Sequence, residues 1–229
     1  MGEKIYDAAF QSWLNEQTCH VLEEVVSDLG FDQETTFSLC TVLYFESSWS
    51  LPFDKDKTYI DTFYSTNGER DATFMRKEEG GASVYLGEGF SSVIMDMQDG
   101  DYAVFVLPDS EKGIGEILQS EELFNFIFSG TEWPITKRGK VTISIPQVDI
   151  LAGTSLVDLF ARLGVTDIFN PEKANFSNDI ISDNAMKLAA ADQYSRFIMN
   201  EDGVESASIL VSGPTTFQIP GSDSILSAF

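Results

Sequence analysis

Ile198-Met199-Asn200-Glu201-Asp202-Gly203-Val204-Glu205-Ser206-Ala207-Ser208-Ile209-Leu210-Val211-Ser212 is the stretch on which the reading of this chain turns. A short apolar run closes in Asn200, Glu201 and Asp202, and Gly203 follows. Val204, Glu205 and the small residues Ser206, Ala207 and Ser208 come next, before a Pro/Gly/Thr-rich tract that reaches Pro220. Glycine takes backbone angles closed to other residues, so Gly203 is expected to act as a pivot. A segment poor in bulky side chains slides readily into a tight slot between strands. The pattern is that of a hinge followed by an insertable segment.

Composition sets the frame around that segment. The chain has 229 residues, 43% of them hydrophobic and 12% aromatic, with eighteen Phe, enough for a packed core. No apolar run approaches the ~18 residues of a membrane span, so no membrane partner is expected. Thirty-seven acidic against fourteen basic side chains give a formal charge of −23, which repels phosphate backbones and argues against nucleic acid. Cys19 and Cys40 form neither a CxxC motif nor a Cys/His cluster, so neither a metal nor another cofactor is expected. His20 is the only histidine. It adjoins Cys19, and neighbours on a helix point ~100° apart. No nucleophile-elbow motif accompanies it, and the chain is read as lacking catalytic residues.

Elsewhere the pattern mixes helices and strands. Residues 7–29 carry Phe10, Trp13, Leu14, Val21, Leu22, Val25, Val26 and Leu29 at helical spacing, stopped by Gly30. The run 37–46 suits a buried central strand. Short strands are predicted over 59–64, 72–76, 82–86, 91–98 and 101–107, with Asp99-Gly100-Asp101 as a hairpin turn. A helical stretch is predicted over 113–129, an alternating strand from Lys140 to Pro146, a short helix from Ser155 to Leu163 capped by Gly164, and a strand from Leu188 to Met199. The fold class is α+β, with large sheets.

Several landmarks then occur in one order. Leu39–Trp49 (Leu-Cys-Thr-Val-Leu-Tyr-Phe-Glu-Ser-Ser-Trp) is followed by Pro52-Phe53, then Thr73-Phe74-Met75, then Val104-Phe105-Val106-Leu107-Pro108 and Val141–Pro146. The block Leu156–Phe169 with Ala174-Asn175-Phe176-Ser177 precedes the hinge. This order over residues 10–212 resembles the serpins, suicide inhibitors of serine and cysteine proteases. The resemblance implies large mixed β-sheets with surrounding helices and an exposed reactive-centre loop. Glu201, Gly203, Val204, Glu205, Ser206, Ala207 and Ser208 match the hinge, and Trp49, Thr41, Gln147 and Gln193 match breach and shutter positions.

The implied function is inhibition by a covalent trap, in which cleavage of the loop lets it enter the central sheet. Inserted residues alternate: Val204, Ser206, Ser208 and Leu210 are expected to face inward, and Glu205, Ala207, Ile209 and Val211 outward. Family spacing puts the cleaved bond fourteen residues past Gly203, between Phe217 and Gln218, with Ser222–Ala228 returning as an edge strand. The expected target is a serine protease of chymotrypsin-like specificity, or elastase- or subtilisin-like if the register slips. The alternatives are a non-inhibitory serpin-like binding or structural protein and an inactive fragment. An extracellular setting is suggested by the resemblance alone. The family carries a histidine at the position of Gln193 and a lysine at that of Gln147. The family's N-terminal helices and C-terminal strands have no counterpart in 1–229, so the chain is read as one serpin domain in fragment form, with unpaired sheet edges inclined to self-association.

Overall fold

A computed structural model describes residues 4–31, 38–65, 67–109, 113–128, 137–176 and 187–213. Along the chain run α1 (Lys4–Gln17), α2 (Glu23–Val26), β1 (Leu39–Ser48), β2 (Tyr59–Ser65), β3 (Gly68–Gly87), β4 (Phe90–Asp96) and β5 (Tyr102–Pro108). They are followed by α3 (Ile114–Ile117), α4 (Glu121–Phe128), β6 (Lys137–Pro146), β7 (Val148–Ser155), α5 (Val157–Arg162), β8 (Ala190–Met199) and β9 (Gly203–Gly213).

The strands form two sheets. One has the order β1-β9-β8-β7; the other runs β2-β3-β4-β5, with β6 also paired to β3. Every ladder among the described residues is antiparallel, where mixed sheets were expected. The two predicted strands at 72–76 and 82–86 are one strand, β3, of 20 residues. Its register against β6 shifts between Gly80 and Ala82, and Gly81 has φ +88°. A glycine bulge of this kind lets a long strand bend and change partners without ending. At Pro146 and Gln147 the chain passes from β6 in one sheet to β7 in the other.

Three apolar clusters follow. On one face of the first sheet, Leu14, Val21, Leu22, Val26 and Leu29 of the α1–α2 region pack on Tyr194, Ala207, Ile209 and Val211. Trp49, Phe53, Met75, Met95, Met97, Ile143, Met199 and Val204 join the hinge end of that sheet to the second sheet. Phe90, Ile117, Leu123 and Phe126 hold α3 and α4 against β4 and β5.

The helix predicted over 7–29 is broken. Cys19 and His20 adopt φ of 47° and 65°, a left-handed turn between α1 and α2. Left-handed backbone costs a non-glycine residue about 1–2 kcal/mol, and the turn is offset by burying Val21 and Leu22 against the sheet. His20 therefore lies on an exposed turn rather than on a helix, its Nδ1 3.9 Å from Glu23 Oε1. The stretch 113–129 likewise divides, and Ser120 Oγ accepts the amide of Leu123 at 3.3 Å near the start of α4. Strand β7 is not predicted by the sequence pattern: Val-Asp-Ile-Leu-Ala-Gly-Thr-Ser lacks alternation, and pairing with β8 makes it a strand.

Candidate functional site

Gly203–Gly213, read from sequence as hinge and loop, is the second strand of the first sheet. It pairs with β1 from Ser48↔Gly203 to Leu39↔Ser212 and with β8 from Met199↔Val204 to Ala190↔Gly213. Backbone partners on both sides make it a central strand, which small residues at 206–208 permit. Gly203 is held by proximity rather than by unusual angles. A Cβ at this position would collide with the carbonyl oxygen of Ser47 and stand 2.8 Å from Ser48 Cα. It is not among the glycines with positive φ. The expected pivot is thus a close approach between backbones.

The turn from β8 into β9 is fixed from several directions. Asn200 Oδ1 accepts the amides of Asp202 (2.9 Å) and Gly203 (3.3 Å), and Asn200 N donates to Gly203 O at 3.0 Å. Fully buried Trp49 donates its amide to Asp202 O (3.0 Å) and its indole N–H to Asn200 O (2.8 Å). Phe53 N donates to Glu201 O at 3.0 Å, and Lys55 Nζ pairs with Asp202 Oδ2 at 2.8 Å. The Glu201 side chain is buried. Gln147 Nε2 lies 2.9 and 2.8 Å from its two oxygens, and the Thr58 hydroxyl donates to Oε1. Burial alone would raise the Glu201 carboxyl. The Thr58 hydroxyl, its own backbone amide, Gln147 and the charge of Lys55 outweigh it and hold the group below the ordinary carboxylate value.

Along β9 the two faces differ. Val204 is buried in the Trp49 cluster, as expected. Ser206, Ser208 and Leu210, on the same side, are only half-buried. Ala207, Ile209 and Val211, expected to face solvent, are at most 1% exposed because α1 and α2 cover that face. Glu205, beside them at the hinge end, takes a hydrogen bond from the Tyr44 hydroxyl (3.0 Å), which also reaches Glu46 Oε2 at 2.9 Å.

Gln193 and Thr41 do not meet: each pairs with Leu210 from opposite sides. Gln193 Nε2 instead donates to Ser208 Oγ at 3.1 Å, and Ser195 and Ser208 share a hydrogen bond at 2.8 Å. Thr58, Lys55, Tyr44 and Ser195 carried no signal in the sequence, because their roles arise from register between distant segments. Phe217, Gln218 and the expected edge strand Ser222–Ala228 lie outside the described residues. Among the described residues no group of three His, Cys, Asp or Glu could hold a metal ion. No helix among them is long and apolar enough to cross a membrane. Burial pushes the Cys40 thiol up to about 11, which leaves it protonated and unreactive.

The family model described as "Serpin (serine protease inhibitor)" matches residues 3–222. Serpin B6 of Pongo abelii is 26% identical over 199 residues, covering 86% of this chain and 52% of that protein. Antithrombin-III of Homo sapiens is 24% identical, over 87% of this chain and 43% of its own length. The chain thus spans about half the length of the curated relatives it matches. Among solved structures, the viral serpin CrmA superposes with a TM-score of 0.78 at 20% identity, over 92% of this chain and 70% of that one. A thermophilic serpin, tengpin, in the latent state gives 0.75 at 20% identity, over 94% and 58%. With a family match running nearly from end to end and the same fold in these neighbours, the chain belongs to the serpin family.

Proposed function

We propose that this chain carries the moving strand and bait of a serine-protease inhibitor that acts as a suicide substrate and not as an enzyme. The observation behind this reading is the position of β9 between β1 and β8, in the segment that leads directly into the bait tract. In the proposed reaction the protease serine attacks the carbonyl carbon of Phe217. An acyl ester forms, and the bond to Gln218 breaks with Gln218 leaving as the amine. Seating of β9 then draws the acylated enzyme along before water can release it. The driving force lies in the side chains that seating buries. Ile209 and Val211, fully buried, contribute about 2 kcal/mol apiece, and ladders form on both sides of the strand.

Phe217 suits a deep apolar pocket, and no Lys or Arg occurs from Val204 to Phe229, which disfavours trypsin-like enzymes. A second reading, a non-inhibitory family member or inactive fragment, is favoured by β9 already lying in the sheet of the uncut chain. Incubation with chymotrypsin, elastase and subtilisin separates the two. An SDS-stable complex with release of a peptide beginning at Gln218 supports the trap. Clean cleavage without a complex supports the second reading, and cleavage only at Val211 would remove Phe217 as the bait residue.

A further inference from the structure

Strand β8 carries an acid in an apolar setting, at the end of β9 remote from the hinge. Asp192 is 9% exposed and stands between Val211 of β9 and Ser155 of β7 in the sheet register. By alternation it lies on the face of Tyr194, the face that α1 and α2 cover. Val211 is fully buried, so β9 shields this carboxyl from water on one flank. Ser155 hydrogen-bonds it from the other.

Several ionisable groups on this face are engaged elsewhere or uncharged. Asp7 on α1 accepts the amide of Phe31 at 2.9 Å. Arg196, farther along β8, holds Asp149 of β7 through two 2.8 Å bonds and reaches Val21 O, with Glu24 of α2 in its field. Tyr44, Glu46 and Glu205 form their own cluster near the hinge. Cys40, across Val211 on β1, is a neutral thiol. Tyr194 beside Asp192 is pushed up to about 12 by burial and by the Asp192 charge. Among the described residues no lysine or arginine pairs with Asp192.

We propose that Asp192 makes the seating of β9 proton-dependent: the far end of the strand, Ile209–Ser212, is held firmly when this carboxyl is neutral and loosely when it is ionised. This rests on the reading of β9 as a moving strand. Burial raises the Asp192 carboxyl above its ordinary value, the Ser155 hydrogen bond opposing in part. With β9 out of the sheet the group is wetter and returns toward about 4. Below that value it is neutral in both states and seating carries no penalty. As pH rises from there through the raised value a penalty on the seated strand develops, and above it the penalty is constant. Acidification from neutrality therefore tightens the far end of β9.

The test is amide hydrogen exchange on the full chain at pH 7 and pH 4, corrected for intrinsic rates, in wild type and in Asp192→Asn, whose amide imitates the neutral acid. Protection of Ile209–Ser212 is expected to rise on acidification in wild type, with β4 and β5 unchanged. In Asp192→Asn it is expected to be high and flat. Absence of a wild-type response, or the same response in the variant, overturns the proposal. Should the variant not fold, the carboxyl-carbon titration of wild-type Asp192 decides, and an ordinary midpoint overturns it. Exchange of β9 only by global unfolding, beside a raised Asp192 midpoint, would end the moving-strand reading and the proposal built upon it.

Discussion

At Gly203 a single methyl group would meet the Ser47 carbonyl, a contact between two backbones that no rotamer change relieves. Gly203→Ala is expected to cost about 2 kcal/mol and to open the hinge end of β9, read as lost amide protection at Val204–Ser206. Unchanged protection would show that β1 gives way easily. Glu201 is the other residue on which this end rests. A carboxyl depressed in the folded state adds stability above its ordinary value, about 4, and that contribution disappears as pH falls through the depressed value. Denaturant melts of Glu201→Gln against wild type should therefore converge below pH 4 and separate above it, with wild type the more stable by about 1–3 kcal/mol. Equal pH profiles would mean that Gln147 and Thr58 do not favour the charged form.

At the scale of elements, the asymmetry of β9 gives a paired prediction. Ile209→Ala empties a fully buried site and is expected to cost about 2–4 kcal/mol. Leu210→Ala, on the half-buried face, should cost about half as much or less. Reversed costs in urea melts would overturn the assignment of faces. The same asymmetry explains what the sequence could and could not reveal. Alternation correctly divides β9 into two sets, because a strand has period two. Which set meets helices is decided by α1 and α2, whose place on the sheet no local pattern encodes. The strand at 140–146 was legible from alternation, whereas the segment after Gly203, read as hinge and loop, is a paired strand. β7 was not legible, because its strand state comes from eight pairings with β8. The joining of two predicted strands into β3 depended on Gly80 and Gly81, which read as a turn and serve as a bulge. Of the candidate site, Trp49, Gln147 and Glu201 were identified through their place in a family pattern, whereas Thr58 and Tyr44 are tied to the hinge by hydrogen bonds across 143 and 161 residues of chain.

For the molecule as a whole, the outer edge of β1 pairs with no strand among the described residues, and Leu39 and Leu43 beside it are 55% and 66% exposed. Such an edge is a template for another chain, while a net charge of −23 keeps copies apart. Size-exclusion chromatography of residues 1–229 should show association that grows as salt screens this repulsion, between ~0.01 and 0.5 M. A monomer at every salt concentration would show the edge to be protected. The covering of β9 by α1 and α2 has a further consequence, for time rather than for equilibrium. This helical region packs on β1 and β8 alike, strands that flank β9 on its two sides. A β-strand needs about 4.8 Å of sheet width, so β1 and β8 must part by that distance whenever β9 enters. The helices that bridge them must slip or lift on one side first. If β9 moves as proposed, the rate of entry is set by the helix contacts to β1 and β8, and a crosslink from α1 to β1 would slow the exchange.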